Sequence, residues 1–253
     1  MERREERLAI KIQELIEYRR LPELLDIVEN DDSIKTQFIN ELSDLQKAIY
    51  HLDHILESEW EIIDSSLEGK WDAIYNALRV LGIEDDKLYD YCKHIYKYQK
   101  HELEQRKGKS LLRLSMEYFY FYKSCDVKLL RRIIFDRYSV LRSTFPPSDW
   151  RWFDLVTEVN DDIEDLYEDI DTNNGNRFLL SIEQLGKEQA YLIYKEFLRC
   201  IKQAFDRKIK NKSIHPTIIE LTFNELKKTS QLLEQRYREI STKAPLSGSL
   251  KVF

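Results

Sequence analysis

The chain has 253 residues, of which 34% are charged and 42% are hydrophobic. This composition is typical of a folded globular protein and excludes an intrinsically disordered chain. The formal net charge of -6 provides no basic footprint for nucleic acid. Only 6 glycines occur, and none of them forms a glycine-rich phosphate-binding loop.

Apolar residues recur at helical spacing from the N-terminus onward. A first amphipathic helix is predicted to end near Arg19, and Pro22 is expected at the start of a short second helix. No glycine or proline interrupts residues 33–67, which predicts a third helix about 50 Å long. Gly69 is expected to end that helix, and a shorter helix follows as far as Gly82.

The middle of the chain is unusually rich in aromatic residues. A helix is predicted from the acidic residues 84–86 to a break at Gly108. Residues 111–141 are then strongly apolar, and a helix that is apolar on most sides is usually central. The aromatic run 118–122 has two interpretations, the wall of an apolar cavity and ordinary core packing.

Pro146 and Pro147 form the firmest helix break in the chain. Ser148 or Asp149 is expected to cap the helix that follows. Beyond an Asn- and Gly-containing turn, two helices are predicted over residues 181–210 and 216–240. Residues 242–253 are predicted to be a flexible tail. The predicted fold class is therefore all-α, with residues 1–241 forming a single-domain bundle of about eight to ten helices.

The three cysteines, Cys92, Cys125 and Cys200, are far apart in the sequence and odd in number. This pattern predicts reduced thiols and a cytoplasmic location, and it argues against a disulfide framework or a zinc site. The charged N-terminal residues have no apolar signal region behind them. No apolar run approaches the roughly 20 residues of a membrane span, so no integral membrane segment is predicted.

The densest acid in the chain lies in residues 159–169, on a predicted helix. The apolar stripe of this helix places Asn160 and Asp162 at its opposite edges, and Asp161, Asp165 and Glu168 on the far side. One interpretation is a solvated acidic face. The other is a Mg²⁺ site, because carboxylates one helical turn apart can share a hard cation with phosphate oxygens and water.

Asp161, Asp162 and Asp165 form a D-D-x-x-D pattern that resembles the metal motif of class I isoprenoid synthases. Residues 175–186 are similar to the G-R-aromatic-L turn and the following helix of squalene and phytoene synthases. The resemblance implies an all-α isoprenoid-synthase fold, Mg²⁺ as the cofactor and a prenyl diphosphate as the substrate.

A second register resembles the N-D-x-x-S-x-x-x-E triad of terpene cyclases. In that register the metal ligands are Asn160, Glu164 and Glu168, with glutamate where the family has serine. Near the C-terminus, Arg236 and Tyr237 resemble the Arg-Tyr pair of the same cyclases.

The resemblance also implies a second acidic cluster on a facing helix. Asp53 and Glu57 are the favoured candidates because they lie at the edge of the apolar stripe of the third helix. Asp26 and Asp31 are the alternative cluster. The interpretation without a metal is that Asp53 and Glu57 form an ordinary pair on the helix surface.

Two hypotheses of different class follow. In the first, an isoprenoid-synthase-like enzyme ionises a prenyl diphosphate with Mg²⁺ and then condenses or cyclises it, and the resemblance implies that Arg113, Arg177 and Arg236 contact the diphosphate with Tyr237 nearby. In the second, the chain is a non-catalytic helical bundle, an adaptor that presents amphipathic helices to a partner. The oligomeric state stays open, with a homodimer as one option.

Overall fold

The computed structural model describes residues 2–58, 64–171, 175–211 and 214–242. Within these ranges the chain forms α-helices and short 3₁₀ helices and no strand, so the predicted all-α class is confirmed. None of the described helices is both long enough and apolar enough to cross a membrane. Of the predicted tail, residues 243–253 lie outside the described residues.

The α-helices follow one another along the chain with short connections. They are α1 (Glu2–Tyr18), α2 (Leu21–Asp26), α3 (Asp32–Ser58), α4 (Asp64–Val80), α5 (Leu88–Arg106), α6 (Met116–Lys123), α7 (Cys125–Arg137), α8 (Leu141–Thr144), α9 (Pro147–Glu164), α10 (Arg177–Leu185), α11 (Lys187–Asn211) and α12 (Pro216–Thr242). The 3₁₀ helices are Asp85–Lys87, Leu111–Arg113, Asp165–Tyr167 and Asp169–Asp171.

The chain folds as two compact units. The first unit comprises Met1–Gln99 and Cys125–Thr144, and the second comprises Lys100–Ser124 and Phe145–Phe253. The predicted single domain over residues 1–241 stays a prediction.

In the first unit, α3 packs along α4 and also contacts α1, α2 and α7. The apolar stripe predicted for the third helix is its buried face, as shown by Phe38, Leu42, Leu45, Ile49 and Leu52. Spacing at three and four residues places these side chains on one side of the helix, where burial removes them all from water together.

Gly69 does not end a helix, so that prediction was wrong. It lies inside α4, and a Cβ atom added to it would meet no atom within 4 Å. Buried Leu67 and Trp71 continue the apolar stripe across the glycine. The packing of that stripe outweighs the weak intrinsic preference of glycine against helix.

Two predicted helices are divided and the four-residue α8 is an additional helix, so twelve α-helices are described where about eight to ten were predicted. Residues 111–141 break at Ser124, whose hydroxyl donates to the carbonyl oxygen of Tyr120 at 3.2 Å and to that of Phe121 at 3.3 Å. Such side-chain bonds to the backbone compete with helix continuation. Residues 181–210 break at Gly186, which adopts a φ of 83°.

In the second unit, α9 packs against α6, α10, α11 and α12. Pro146 is the residue that precedes its first turn, so the predicted cap at Ser148 or Asp149 was wrong. Pro147 begins the helix, where its missing N–H leaves no bond unmade. Asp149 forms an ion pair with Lys208 of α11 at 2.8 Å instead.

Candidate functional site

Acidic side chains are concentrated at the C-terminal end of α9. Asp161, Asp162 and Glu164 lie in its last turn, and the N–H of Asp165, the C-cap, donates to the carbonyl oxygen of Asp161. These four residues are the acidic turn. The C-terminal end of a helix carries partial negative charge, so acids there oppose the helix dipole. The last turn of α9 contains no basic residue, so compensating charge has to come from other helices.

Asp162 is the centre of a buried polar network. Its carboxylate accepts three hydrogen bonds, from the Tyr120 hydroxyl at 2.7 Å, from the Lys123 ammonium and from the backbone N–H of Arg177 at 2.9 Å. The Tyr120 and Tyr194 hydroxyls lie 2.6 Å apart. Protein groups therefore already use both oxygens of Asp162, and a metal ion at this carboxylate would have to replace one of them.

The two tyrosines of the network stay protonated well above neutral pH. Burial raises the pKa of Tyr120 far above its usual range, and the negative charge of Asp162 adds to the effect. Burial and the same carboxylate also raise the pKa of Tyr194. Because both hydroxyls keep their hydrogen, Tyr120 remains a donor to Asp162 across the physiological pH range.

Lys123, the last residue of α6, supplies part of the missing positive charge. Its side chain is 19% exposed, whereas that of Asp162 is fully buried. Burial by itself would lower the pKa of Lys123, but the charges of Asp162, Glu158 and Asp161 outweigh burial and raise it. The ammonium therefore stays charged among carboxylates from two successive turns of α9.

The acidic side of α9 is not a fully solvated face. Asp154 and Glu158 are only 3% and 6% exposed. Asp161 and Asp165 are half-buried, and Glu168, beyond the end of the helix, is exposed. Burying carboxylates is costly unless they interact with cations or hydrogen-bond donors. Asp154 and Glu158 therefore do not belong to a solvated face, whereas Glu164 and Glu168 do.

Asn160 and Asp162 contact different helices. The Asn160 amide donates to Oε2 of Glu164 at 2.9 Å, and its oxygen accepts from the Thr229 hydroxyl of α12 at 3.2 Å. Glu164 is exposed and lies 3.8 Å from the Lys228 ammonium, also on α12. Of the two predicted metal registers, Asn160 and Glu164 therefore contact α12, whereas Asp162 contacts α6 and α10.

Arg236 of α12 covers the end of α9. Its Nε donates to the carbonyl oxygen of Ile163 at 3.1 Å, and its Nη2 donates to that of Glu164 at 2.8 Å. The guanidinium thus binds carbonyl groups that the helix leaves without an internal partner. Its neighbour Tyr237 makes its contacts with α11, where its hydroxyl donates to Glu188 at 3.0 Å.

Arg177 is the first residue of α10 and is only 6% exposed. Its Nη1 donates to the carbonyl oxygen of Leu111 at 2.6 Å, and its guanidinium lies 5.6 Å from the centre of the Phe119 ring. Within the described residues its Nε has no hydrogen-bond acceptor and its guanidinium has no carboxylate partner. A buried cation without a carboxylate partner is unfavourable, and an anionic ligand would relieve this.

Arg113 differs from Arg177 in having its charge paired. It is exposed, in the 3₁₀ helix Leu111–Arg113, and it forms an ion pair with Glu104. Glu104 also lies 3.4 Å from the Lys109 ammonium. Binding of a diphosphate by Arg113 would therefore compete with an existing surface pair.

The residues predicted for the second acidic cluster belong to the first unit. Asp53 is half-buried on α3, and the side chain of Glu57 lies outside the described residues. Of the alternative cluster, Asp26 pairs with Lys35 at 2.9 Å. Asp31 accepts the N–H of Ser33 at 2.8 Å, which satisfies a free donor at the start of α3.

Two further polar residues of the second unit were not among the predicted site residues. Tyr194 belongs to the Asp162 network, and Glu225 on α12 is 5% exposed. Among the described residues, Oε1 of Glu225 has no hydrogen-bond donor. Both residues interrupt an apolar helical stripe, and a polar residue in such a position is the signal that sequence offers for it.

The donor set of the acidic turn is hard oxygen. Asp161 and Asp165 lie one turn apart, which suits Mg²⁺ when phosphate oxygens and water complete its shell. In the part of the chain that the structure describes, no three His, Cys, Asp or Glu side chains are grouped so as to hold a metal ion by themselves. Comparison of the chain with protein-family models, curated proteins and solved structures gives no match.

Proposed function

We propose that the acidic turn of α9 binds Mg²⁺ together with the diphosphate of a prenyl diphosphate, and that the chain is a class I isoprenoid-synthase-like enzyme. The observation that carries this proposal is the buried Arg177 guanidinium, which has no carboxylate partner among the described residues. Its own backbone N–H donates to Asp162, so the residue that carries this cation is bonded to the acidic turn through its main chain. A diphosphate would bind the guanidinium, and its metal ion would bind the acids.

Charges of both signs meet at this end of α9. The charged groups of Lys123 and Arg236, from α6 and α12, bind Asp162 and the carbonyl oxygen of Glu164, and Arg177 of α10 binds Asp162 through its backbone N–H. A site for a bare metal ion would need only acids, and a site for a free anion would need only bases. The presence of both favours a ligand that combines an anion with a divalent cation.

The proposed roles follow from these positions. Asp161 and Asp165 hold the metal ion, and bound Mg²⁺ neutralises the charge that develops on the leaving diphosphate. Arg177 donates hydrogen bonds to the diphosphate oxygens, and Arg236 adds its positive charge from the end of α9, where its donors stay on the carbonyl oxygens of Ile163 and Glu164. The Tyr120 network keeps α6 and α10 against α9, which holds the basic residues in place.

Thermal melting tests whether the site binds such a ligand. A ligand that binds only the folded chain stabilises it by about 2.7 kcal/mol at 100 times its Kd. We expect MgCl₂ and pyrophosphate together to raise the melting midpoint and each alone to do so much less. The Asp161→Asn and Asp165→Asn variants should lose this rise. Asp206→Asn, which removes a surface partner of Lys202 on α11, should keep it.

Turnover is tested with geranyl or farnesyl diphosphate and MgCl₂, by measuring released pyrophosphate and the hydrocarbon or alcohol products. The Arg177→Gln variant should release far less pyrophosphate. If the wild type shows neither a melting shift at millimolar Mg²⁺ and pyrophosphate nor any product, the proposal is wrong. That result would favour the non-catalytic helical-bundle adaptor.

A further inference from the structure

The start of α10 is bound to the end of α9 by side chains that have no direct part in the proposed chemistry. We infer that Asn176 is a positioning residue: together with Asp162 it fixes the start of α10, so that the buried Arg177 guanidinium is held in place for a phosphate-type anion. Asn176 itself does not touch the anion. The inference rests on the proposed function for the identity of that anion, a diphosphate.

Asn176 joins the two helices through both ends of its amide group. Its nitrogen donates to the carbonyl oxygen of Asp162 at 2.7 Å and to Oδ2 of Asp169 at 2.8 Å. Its oxygen accepts the N–H of Leu179 at 2.9 Å, which makes Asn176 the N-cap of α10. The residue is fully buried, so water does not replace these bonds. One side chain therefore binds a terminal carbonyl group of α9 and a terminal N–H group of α10.

Asp162 holds the same connection from the side of α9. Its Oδ2 accepts the backbone N–H of Arg177, the first residue of α10, at 2.9 Å. Tyr120 and Lys123 are its other donors, so protein groups alone satisfy this carboxylate. The contribution of Asp162 is thus to fix the main chain of Arg177, and with it the point from which the arginine side chain extends.

The Arg177 side chain depends on this anchoring because few other contacts orient it. Nη1 donates to the carbonyl oxygen of Leu111, and the guanidinium lies 5.6 Å from the centre of the Phe119 ring. Over the described ranges of the chain, Nε has no acceptor and no carboxylate pairs with the guanidinium. An anion would meet a guanidinium that is already oriented, so less conformational freedom is lost when it binds.

The residue before Asn176 restricts the turn from the opposite side. A Cβ atom added to Gly175 would overlap the buried Glu102 carboxylate of α5 and come within 3.3 Å of the Leu111 side chain. Leu111 also provides the carbonyl oxygen that binds Arg177. Packing against α5 and hydrogen bonds to α9 therefore fix the start of α10 from two sides.

Isothermal titration calorimetry with pyrophosphate, with and without MgCl₂, tests the inference. Asn176→Ser keeps an acceptor for the N–H of Leu179, removes the bonds donated to Asp162 and Asp169, and adds no charge. We expect this variant to bind pyrophosphate about tenfold more weakly than the wild type, and Arg177→Gln to lose at least as much. Asn224→Ser, at an exposed position of α12, should leave the affinity unchanged.

The double variant of Asn176→Ser and Arg177→Gln separates positioning from a structural role. If Asn176 acts through Arg177, the double variant should bind pyrophosphate no more weakly than Arg177→Gln alone. Additive losses of affinity, or wild-type affinity in Asn176→Ser, would overturn the inference. Asn176 would then be a structural cap, whose substitution lowers the melting midpoint in both backgrounds without acting through Arg177.

Failure of the proposed function gives a different result. Pyrophosphate that binds equally well with and without MgCl₂, and more weakly to both single variants, would support positioning by Asn176 but overturn the metal ion of the proposed function. Absence of binding to the wild type under both conditions would overturn the proposed function and the inference together.

Discussion

The Tyr120 hydroxyl donates to Oδ2 of Asp162 at 2.7 Å, and both side chains are almost completely buried. The bond joins α6 to the acidic end of α9 across 42 positions of sequence. A buried carboxylate needs such donors because it has lost its water. The same bond keeps Lys123, one turn further along α6, beside the acidic turn.

Tyr120→Phe should lower the free energy of unfolding by about 2 kcal/mol, because a hydrogen bond to a charged group is removed from a buried site. Urea denaturation measures the change. Tyr118→Phe on the same helix is the matched control, since the Tyr118 hydroxyl makes no hydrogen bond to a described residue. Equal losses in the two variants would mean that the bond to Asp162 adds nothing to stability.

Arg236→Met should lower the free energy of unfolding by about 1–2 kcal/mol. The substitution keeps much of the apolar stem but removes both donors to the carbonyl oxygens of Ile163 and Glu164. It also removes positive charge from the negative end of α9. Arg238→Met, at an exposed position of the same helix, serves as the control in the same urea titration. If Arg238→Met is as destabilising as Arg236→Met, the hydrogen bonds of Arg236 do not stabilise the C-terminal end of α9.

Gly69→Ala should raise the free energy of unfolding by about 0.5–1 kcal/mol, because alanine restricts the unfolded chain and favours helix. Gly82→Ala should lower it by about 1 kcal/mol, since Gly82 has a φ of 84° that alanine adopts poorly. An added Cβ meets no atom within 4 Å at either position, so the two variants differ only in backbone conformation. Melting midpoints should change in opposite directions in the two variants. Changes in the same direction would contradict the helical conformation of Gly69 within α4.

Alkaline pH should destabilise the first unit through Cys92. This thiol is fully buried, and burial raises its pKa to about 12. In the unfolded chain the thiol ionises near its ordinary pKa of about 8.5. Because the folded pKa is the higher one, the contribution of Cys92 to stability is complete below about pH 8.5 and falls as pH rises toward 12.

Through this one group, the free energy of unfolding should fall by at most about 1.4 kcal/mol per pH unit. Urea denaturation of the wild type and of Cys92→Ala should therefore give a constant difference near pH 7 and a shrinking one above about pH 9. A difference that stays constant throughout this range would show that Cys92 ionises equally in the folded and unfolded chains.

Local patterns were sufficient to predict the fold class and several helix limits. The stripe of α3 and the break at Pro146 depend on neighbours a few residues away, and both were predicted correctly. The break at Ser124 and the continuity through Gly69 were not. In both cases a single residue is compatible with a continuous helix or with a break, and the hydrogen bonds and packing around it decide which of the two forms.

At the candidate site, the sequence alone identified a dense run of acid on a helix, because carboxylates at adjacent turns are visible in the order of residues. It did not determine which of these acids are buried or which cations meet them. Lys123 is 39 positions from Asp162, and Arg236 is 72 positions from Glu164. Only the packing of α6, α10 and α12 on α9 brings these charges together, since Coulomb interactions depend on distance in space and on burial.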